Sequence, residues 1–366
     1  MSKGKIYPCE SQVSRDPKSG RELRQITTAD AIHHHPFYYI PAWDKAMNRL
    51  SFVSHRSGRP QIFMELGQAG DLLQLTDRDD LNEWSIHPSY DGHYVYFTAK
   101  AQAWRVNTES MKEECLQDFG GDKIQASGMV GAAMGTTSLS TDDAFWAVPV
   151  KSGSSTHFYV IDTSNGECRS ILEASTIGHP QFHPDDPTLL RYGGPYHSRI
   201  WTIRRDGSAH RLAYRRQADQ KEWIVHETWR PGSMEILTSN WPHGVIAIDT
   251  QTDAVREVTA FNAWHPMVSP CGQFMIADTV YPDIGLQRFA VLDDSKSCPE
   301  FLCETGSSNE GAHWETDHCP YDDGPVNVYA PQHTHPHPNI SPDGRRVVFT
   351  SDKTGYAQLY ELTIND

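Results

Sequence analysis

One short pattern occurs seven times along the chain, and this repeat constrains the fold more than any other feature of the sequence. Each copy has turn residues, a β-rich run, a short break and a second β-rich run; the last copy, for example, is Ser-Pro-Asp-Gly at 341–344, then 347–350 and 358–362. The first β-rich runs are 49–53, 94–98, 144–148, 189–192, 235–239, 274–277 and 347–350. A third short strand is expected between copies, as at 73–76, 211–213 and 256–259. The period of about 40–50 residues is typical of four-stranded propeller blades.

The repeat therefore predicts an all-β fold, a seven-bladed β-propeller with four-stranded antiparallel blades. Residues 1–366 are expected to form a single domain with a long insertion around 293–331, before the last blade. The final strand, 358–362, is expected to close the ring by pairing with an N-terminal strand around 24–27. Helical patterning is nearly absent, and radial repetition explains how so many short strands keep their edges protected.

Composition limits the partners of such a domain. The chain has 366 residues, 38% of them hydrophobic, and a net charge of −15, which argues against nucleic acids and anionic membrane surfaces as partners. It has no apolar run of about 18 residues for a membrane helix, and its first residues have no apolar signal core. Seven cysteines, an odd number without a paired Cys-x-x-Cys spacing, favour a reduced, cytoplasmic protein.

A cluster of ligand-type side chains precedes the last blade, in the run Gln-His-Thr-His-Pro-His at 332–337. His335 and His337 are two residues apart, so on an extended chain their side chains leave on the same side. His333 is offset from His335 by an odd number and should point away. Imidazole suits ions such as Mn, Fe, Ni, Cu or Zn, and the Gln332 amide oxygen adds a hard ligand. The alternative is a histidine-rich surface loop.

Histidines also recur at one position of the repeat. Aligned on their turns, His179, His226, His265 and His337 occupy the same place in four consecutive blades, and Glu83 occupies it in the second blade. The first blade has His34 and His35 nearby, in a slightly different register. Each of these residues lies just before or at the start of the strand that precedes the turn. If this strand is the innermost one, these side chains converge at one mouth of the central channel. The alternative is that each histidine only begins an ordinary blade and caps its turn. Eight histidines lack this register and are expected to be surface or structural residues: His55, His93, His157, His197, His210, His243, His313 and His318.

These same residues carry a resemblance to a known family. The tail from 332 to 362, with Gln-x-x-His-Pro-His-Pro before a Ser-Pro-Asp-Gly strand, resembles the oligogalacturonate lyases of polysaccharide lyase family 22. The similarity extends to His34, Gly-His-Pro at 178–180, Gly-Pro at 194–195, Arg-x-Trp at 199–201, His-Glu at 226–227 and His265. The resemblance implies a seven-bladed propeller with a Mn²⁺-type divalent ion. Its implied ligands here are His265, Gln332, His335 and His337.

The resemblance also implies a general base at His226 and a substrate-binding arginine at Arg199. His179, His34 and Tyr192 are predicted to line the substrate site beside them. One departure stands out, since Tyr192 and Gly193 occupy the place where the family is expected to have His-Glu. The implied reaction is β-elimination on a short, acidic, uronate-containing oligosaccharide in pectin degradation, which gives a 4,5-unsaturated uronate product.

The chemistry suits these residue types, because a neutral histidine can remove the proton α to a carboxylate near pH 7. A divalent ion and an arginine can stabilise the charge that develops. The chain has no Gly-x-Ser-x-Gly elbow that would support a peptidase or esterase. Three alternatives remain open at this stage: a non-catalytic propeller that binds a ligand, a lyase acting on a different uronate oligosaccharide, and a hydrolase or isomerase using the same metal.

Overall fold

The protein is a ring of seven antiparallel sheets, as the repeat predicts. The computed structural model describes residues 3–120, 135–217, 220, 222–279, 284–292, 299–308 and 332–364, with the side chain of Gln332 excluded. Five sheets have four strands and two have five. Helical structure in the named elements is limited to single 3₁₀ turns at Glu83–Ser85 and Gln332–Thr334. The described residues contain no helix that is long and apolar enough to cross a membrane.

The blades follow one another around the ring in chain order, except that the N-terminal strands β2 and β3 belong to the seventh blade. The first three blades contain β1 Ile6–Tyr7, β4 His33–His34, β5 Arg49–Ser54, β6 Gln61–Leu66 and β7 Leu72–Gln74; β8 His87–Pro88, β9 Tyr94–Ala99, β10 Gln102–Asn107 and β11 Glu113–Asp118; and β12 Ser138–Leu139, β13 Phe145–Ser152, β14 Ser155–Asp162 and β15 Cys168–Ala174. The fourth and fifth contain β16 Gly178–His183, β17 Asp186–Gly193, β18 Ile200–Arg204 and β19 Arg211–Tyr214, and β20 Trp223–Trp229, β21 Glu235–Trp241, β22 Gly244–Asp249 and β23 Val255–Thr259. The sixth contains β24 Met267–Val268, β25 Phe274–Ala277, β26 Leu286–Ala290 and β27 Glu300–Cys303, and the seventh β2 Gln12–Arg15, β3 Glu22–Gln25, β28 Asn339–Ile340, β29 Arg346–Ser351 and β30 Gln358–Thr363.

The strand that precedes the turn of each repeat is the innermost one. Strands β16, β20, β24 and β28 each contact the next around the axis. Burial falls from the inside outward: every residue of β20 is buried, whereas every residue of the peripheral strand β2 is exposed. The condition for the in-register histidines to converge at one mouth is therefore met.

Apolar side chains fill the spaces between neighbouring blades. Val53 and Ile62 of the first blade pack against Val95 and Phe97 of the second, and all four are fully buried. Burying a side chain of this size stabilises the fold by about 1.5–3 kcal/mol. The apolar side chains that alternate along each strand therefore hold neighbouring blades together.

The Ser-Pro-Asp-Gly turn has a local physical cause. The Ser341 hydroxyl donates to Asp343 Oδ1 and accepts the backbone N–H of Arg346 at 2.9 Å. Gly344 has φ +73°, which glycine adopts without steric cost. The same hydroxyl pattern occurs at Ser89, which accepts from Tyr94 N–H at 2.9 Å. This turn fixes the direction in which the chain leaves the channel and enters the second strand.

The two ends of the chain close the ring together. Strand β3 pairs with β30 through Leu23 with Leu362 and Arg24 with Glu361, so the predicted closure is confirmed. The buried Arg24 guanidinium also bonds Glu65 of the first blade at 3.1 Å and Glu361 at 3.0 Å. One arginine thereby ties the seventh blade to the first.

Part of the predicted insertion at 293–331 belongs to a blade. Strand β27 pairs with β26 as the outermost strand of the sixth blade. Residues 293–298 and 309–331 lie outside the described residues, so the remainder of the insertion stays a prediction.

Candidate active site

The in-register histidines lie at one mouth of the channel, and bulges in the inner strands orient them. The pairing of β16 with β17 shifts between Gly178 and Gln181, and that of β20 with β21 between Val225 and Thr228. His179 and His226 sit within these shifts with φ of 47° and 55°, and His337 has φ 48°. Positive φ is uncommon outside glycine, although histidine is enriched there. A bulge of this kind re-aims a side chain out of the strand's regular alternation.

His265, His335 and His337 form a compact group, here called the triad. One ring nitrogen from each lies within 4.8 Å of the others, and all three side chains are buried. The ring centroids of His265 and His337 are 4.0 Å apart, and those of His335 and His337 are 5.4 Å apart. His337 Nε2 is buried and has no hydrogen-bond partner among the described residues. Three converging imidazoles with such a nitrogen have the donor set of a transition-metal site.

Asp278, on the segment just after β25, holds the triad in place. Its Oδ2 accepts from His265 Nδ1 at 2.8 Å, and its oxygens also accept the backbone N–H groups of His265 and His337. Because a carboxylate can only accept, His265 carries its proton on Nδ1 and turns an Nε2 lone pair towards the triad. Burial alone would raise the pKa of Asp278, but its attraction to His265 and the hydrogen bonds outweigh burial and lower that pKa. A carboxylate behind a histidine ligand is the usual outer partner of a metal site.

His226 lies against the triad, with its ring centroid 4.2 Å from that of His265. Its Nδ1 is buried and has no hydrogen-bond partner among the described residues. Burial, together with the neighbouring His265, lowers the pKa of His226 well below its ordinary value. His226 is therefore a neutral imidazole at pH 7.

A buried charge network lies next to His226, in the fourth and fifth blades. Glu227 Oε1 accepts from Arg199 Nε at 2.6 Å, and Glu227 Oε2 lies 3.4 Å from Arg191 Nη1. Burial by itself raises the pKa of a carboxyl group, but the two arginines outweigh it and lower the pKa of Glu227. Two guanidiniums face one carboxylate, which leaves an excess of one positive charge. A negatively charged group in the mouth would be attracted to this side of it.

Arg199 also determines the state of His179. Its Nη2 lies 2.9 Å from His179 Nδ1. Because a guanidinium always donates, His179 Nδ1 must accept, and the ring proton of neutral His179 lies on Nε2. Burial and the Arg199 charge lower the pKa of His179 to about 3. Gly193 packs directly against the Arg199 guanidinium. A larger residue would not fit there, because its Cβ would lie 2.8 Å from Arg199 Cζ.

Comparison with known proteins identifies the family. The sequence profile of the oligogalacturonate lyases matches residues 1–366. The chain belongs to the oligogalacturonate lyase family. A protein from Dickeya dadantii named oligogalacturonate lyase is 22% identical over 396 aligned residues, which cover 100% of this chain and 99% of that protein. An oligogalacturonide lyase from Pectobacterium atrosepticum is 23% identical, again over 100% of this chain and 99% of the relative.

Solved structures show the same fold. An oligogalacturonate lyase in complex with manganese superimposes with a TM-score of 0.81 at 20% identity, over 100% of this chain and 99% of that one. An oligogalacturonate lyase from Vibrio parahaemolyticus gives a TM-score of 0.78 at 19% identity, over 100% and 99%. The resemblance inferred from the histidine motifs is therefore confirmed, and so is the prediction of a lyase.

Most of the predicted site residues of this oligogalacturonate lyase family member lie at one mouth. The triad, His226, His179 and Arg199 are joined by the contacts described above. The side chain of Gln332 lies outside the described residues, although its backbone begins the 3₁₀ turn before the triad. His34 lies in a neighbouring group with His55, Glu83 and His333.

Tyr192 does not lie with the triad, His179 or His226 at the mouth. Its hydroxyl bonds His210 Nε2 at 2.8 Å, and its ring packs against Phe158 and Trp201 in the core between the third and fourth blades. Consecutive residues of a strand face opposite sides. Arg191, the preceding residue of β17, therefore points to the charge network while Tyr192 points away.

Two polar residues of the site, Asp278 and Arg191, went unrecognised in the sequence, and so did the supporting role of Glu227. Arg191 interrupts the run Leu189-Leu190-Arg191-Tyr192 and is completely buried. A charged residue at an inward position of an apolar strand indicates a buried charged partner, because such residues are rarely buried alone. This signal could have identified Arg191 as a site residue. Asp278 carried no comparable signal, since it lies at the end of a strand where polar residues are ordinary.

Proposed function

We propose that the protein cleaves short oligogalacturonates by β-elimination and that it uses a divalent cation, Mn²⁺, to do so. The observation that carries this proposal is the triad with Asp278 behind it and the neutral His226 against it. The names of the relatives support the galacturonate substrate, and the manganese complex of a family member with the same fold supports the ion. The cytoplasmic location inferred from the sequence stays a prediction.

His265, His335, His337 and Gln332 would hold the cation. Bound there, it would supply positive charge to the uronate carboxylate, where negative charge develops during the reaction. Imidazole nitrogens bind several divalent ions, including Zn²⁺. The hard amide oxygen of Gln332 is the ligand that favours Mn²⁺. Arg199 is proposed to bind the same carboxylate from the fourth blade, where the excess positive charge lies.

His226 is the proposed general base. It would accept the proton from C5 of the sugar, the C5–H electron pair would form the C4=C5 double bond, and the C4–O bond to the departing sugar would break. The lowered pKa keeps the His226 ring unprotonated at pH 7, so it is ready to accept. His179 is less suitable at Nδ1, because that lone pair already accepts from Arg199.

An absorbance assay on purified enzyme tests the proposal. Galacturonate oligomers should give the absorbance of an unsaturated uronate, a chelator should abolish it, and added Mn²⁺ should restore it. Methyl-esterified galacturonate oligomers are the matched control: they have the same sugar without the charged carboxylate, and should turn over far more slowly. Cleavage that releases reducing ends without the unsaturated product would indicate hydrolysis and contradict the proposal.

A further inference from the structure

A second group of metal-type side chains lies beside the triad and has no part in the proposed reaction. The outer cluster consists of His34, His55, Glu83 and His333, and one ligand atom from each lies within 4.8 Å of the others. His34 lies in β4, His55 directly after β5, Glu83 in the 3₁₀ turn before β8, and His333 in the 3₁₀ turn before the triad residues. Three blades thus contribute to one point.

The three histidines all direct Nε2 at the Glu83 carboxylate. His55 Nε2 lies 2.6 Å from Oε2, His34 Nε2 lies 3.2 Å from the same oxygen, and His333 Nε2 lies 3.3 Å from Oε1. In a tetrahedral site with ligands about 2.0–2.1 Å from Zn²⁺, neighbouring ligand atoms are about 3.3 Å apart. The distances of 3.2 Å and 3.3 Å are close to this spacing, and the distance of 2.6 Å would have to open by about 0.7 Å.

Hydrogen bonds alone do not explain how His34 faces Glu83, because the other ring nitrogen of His34 is already bonded to a backbone carbonyl. His34 Nδ1 lies 3.0 Å from the carbonyl oxygen of His35. A carbonyl only accepts, so Nδ1 carries the proton, and the Nε2 lone pair of a neutral ring faces the Glu83 oxygen. Two acceptors 3.2 Å apart repel each other unless a positive charge lies between them. One metal cation would satisfy all three ring nitrogens and the carboxylate at once, and the carbonyl of His35 would then be the outer partner that orients a ligand histidine.

We propose that the outer cluster binds a second divalent cation of the Zn²⁺ class. Imidazole nitrogens and carboxylate oxygens are typical zinc ligands, and four protein ligands close a tetrahedral structural site. The proposal is independent of the proposed function, because none of these four side chains belongs to the triad or to the base.

The position of Trp84 indicates what this cation would do. The Trp84 ring stacks on His34 with a centroid distance of 4.3 Å, and it lies 5.7 Å from His333 and 6.0 Å from His337 of the triad. A cation bound by His333 would anchor the turn that leads directly to His335 and His337. The second site would therefore be structural and would hold the triad's own segment.

Zinc titration of the purified, chelator-treated full chain against a competing chromophoric chelator tests the proposal. The wild-type protein should bind two Zn²⁺ per chain, because the triad also accepts Zn²⁺. Glu83→Gln and His55→Ala should each leave one tight site and weaken the other at least about 10-fold, the smallest loss seen even for outer partners of metal sites. His93→Ala, which removes an exposed histidine outside both groups, should leave two.

The remaining site serves as the control for folding, since a variant that still binds one Zn²⁺ at the triad has kept its ring. His337→Ala should lose the other site, and the combined Glu83→Gln and His337→Ala variant should bind none. A wild-type stoichiometry of one that Glu83→Gln and His55→Ala leave unchanged would overturn the proposal. So would two tight sites in both Glu83→Gln and His55→Ala, and the outer cluster would then be a hydrogen-bond network with a protonated His34.

Discussion

The triad and the outer cluster use similar side chains but place their carboxylates differently. Asp278 lies behind the triad and touches the Nδ1 side of His265, whereas Glu83 lies among the Nε2 atoms of the outer cluster. A cation held by neutral imidazoles alone would keep its two positive charges for a substrate carboxylate. In the outer cluster, Glu83 would cancel one of those charges. The location of one carboxylate therefore separates a site suited to bind an anion from one suited to hold the fold.

The largest expected effect comes from His335→Ala, which should abolish turnover by removing a ligand of the triad's cation. The alanine variant at His333, two residues away, should keep that cation, because His333 Nε2 is directed at Glu83. Both changes are best measured in a Glu83→Gln background, so that only the triad's ion is counted. Metal analysis and the absorbance assay should then separate the two variants completely. Equal Mn²⁺ content in the two would refute the assignment of the triad.

His226→Ala should have the next largest effect, a fall in turnover of about 10²–10⁴-fold, the usual cost of losing a general base. The change should leave the triad's Mn²⁺ in place, because His226 contacts His265 by ring packing and is assigned no ligand role. This result would place proton transfer beside the triad and not beside the outer cluster. His93→Ala is the matched control and should turn over normally. If His226→Ala kept a near-normal rate at every pH, or lost its metal, His226 would not be the base.

Asp278→Asn should have a smaller effect, a loss of Mn²⁺ affinity of about 10–100-fold, because an amide cannot replace the charge that orients His265. Titration of the variant with Mn²⁺ measures this, and circular dichroism establishes that the ring is intact. The Zn²⁺ affinity of the outer cluster should not change, because Asp278 contacts only the triad's side. Unchanged Mn²⁺ affinity would show that the triad's geometry does not depend on this carboxylate.

Sequence pattern was sufficient for the parts of the fold that depend on neighbours along the chain. The strand at 347–350 lies within β29, and that at 358–362 lies within β30. Ser341 and Gly344 form their turn through bonds within six residues of each other. Such contacts depend on local alternation and turn chemistry, and both are visible in a single repeat.

The site could be predicted only as far as the repeat extends. The common register of His179, His226, His265 and His337 follows from aligning blades, because equivalent positions are related by rotation about the axis. His55 was expected to be a surface or structural residue, and it lies in the outer cluster. It follows β5 directly and lacks the repeat's register, so periodicity carried no information about its partners.

The repeat and its turns were enough to specify the number of blades, the approximate positions of the strands, the closure of the ring and the mouth where the histidines meet. Which side chains touch at that mouth depends on contacts that form only in the folded chain. Asp278 reaches His265 across 13 residues because β24 and β25 pair within the sixth blade, and His333 reaches Glu83 across 250 residues because the ring closes. The positive φ of His179 and His226 re-aims both side chains at bulges that strand alternation does not predict. Local periodicity specifies strands, whereas the chemistry of this site depends on distances between blades.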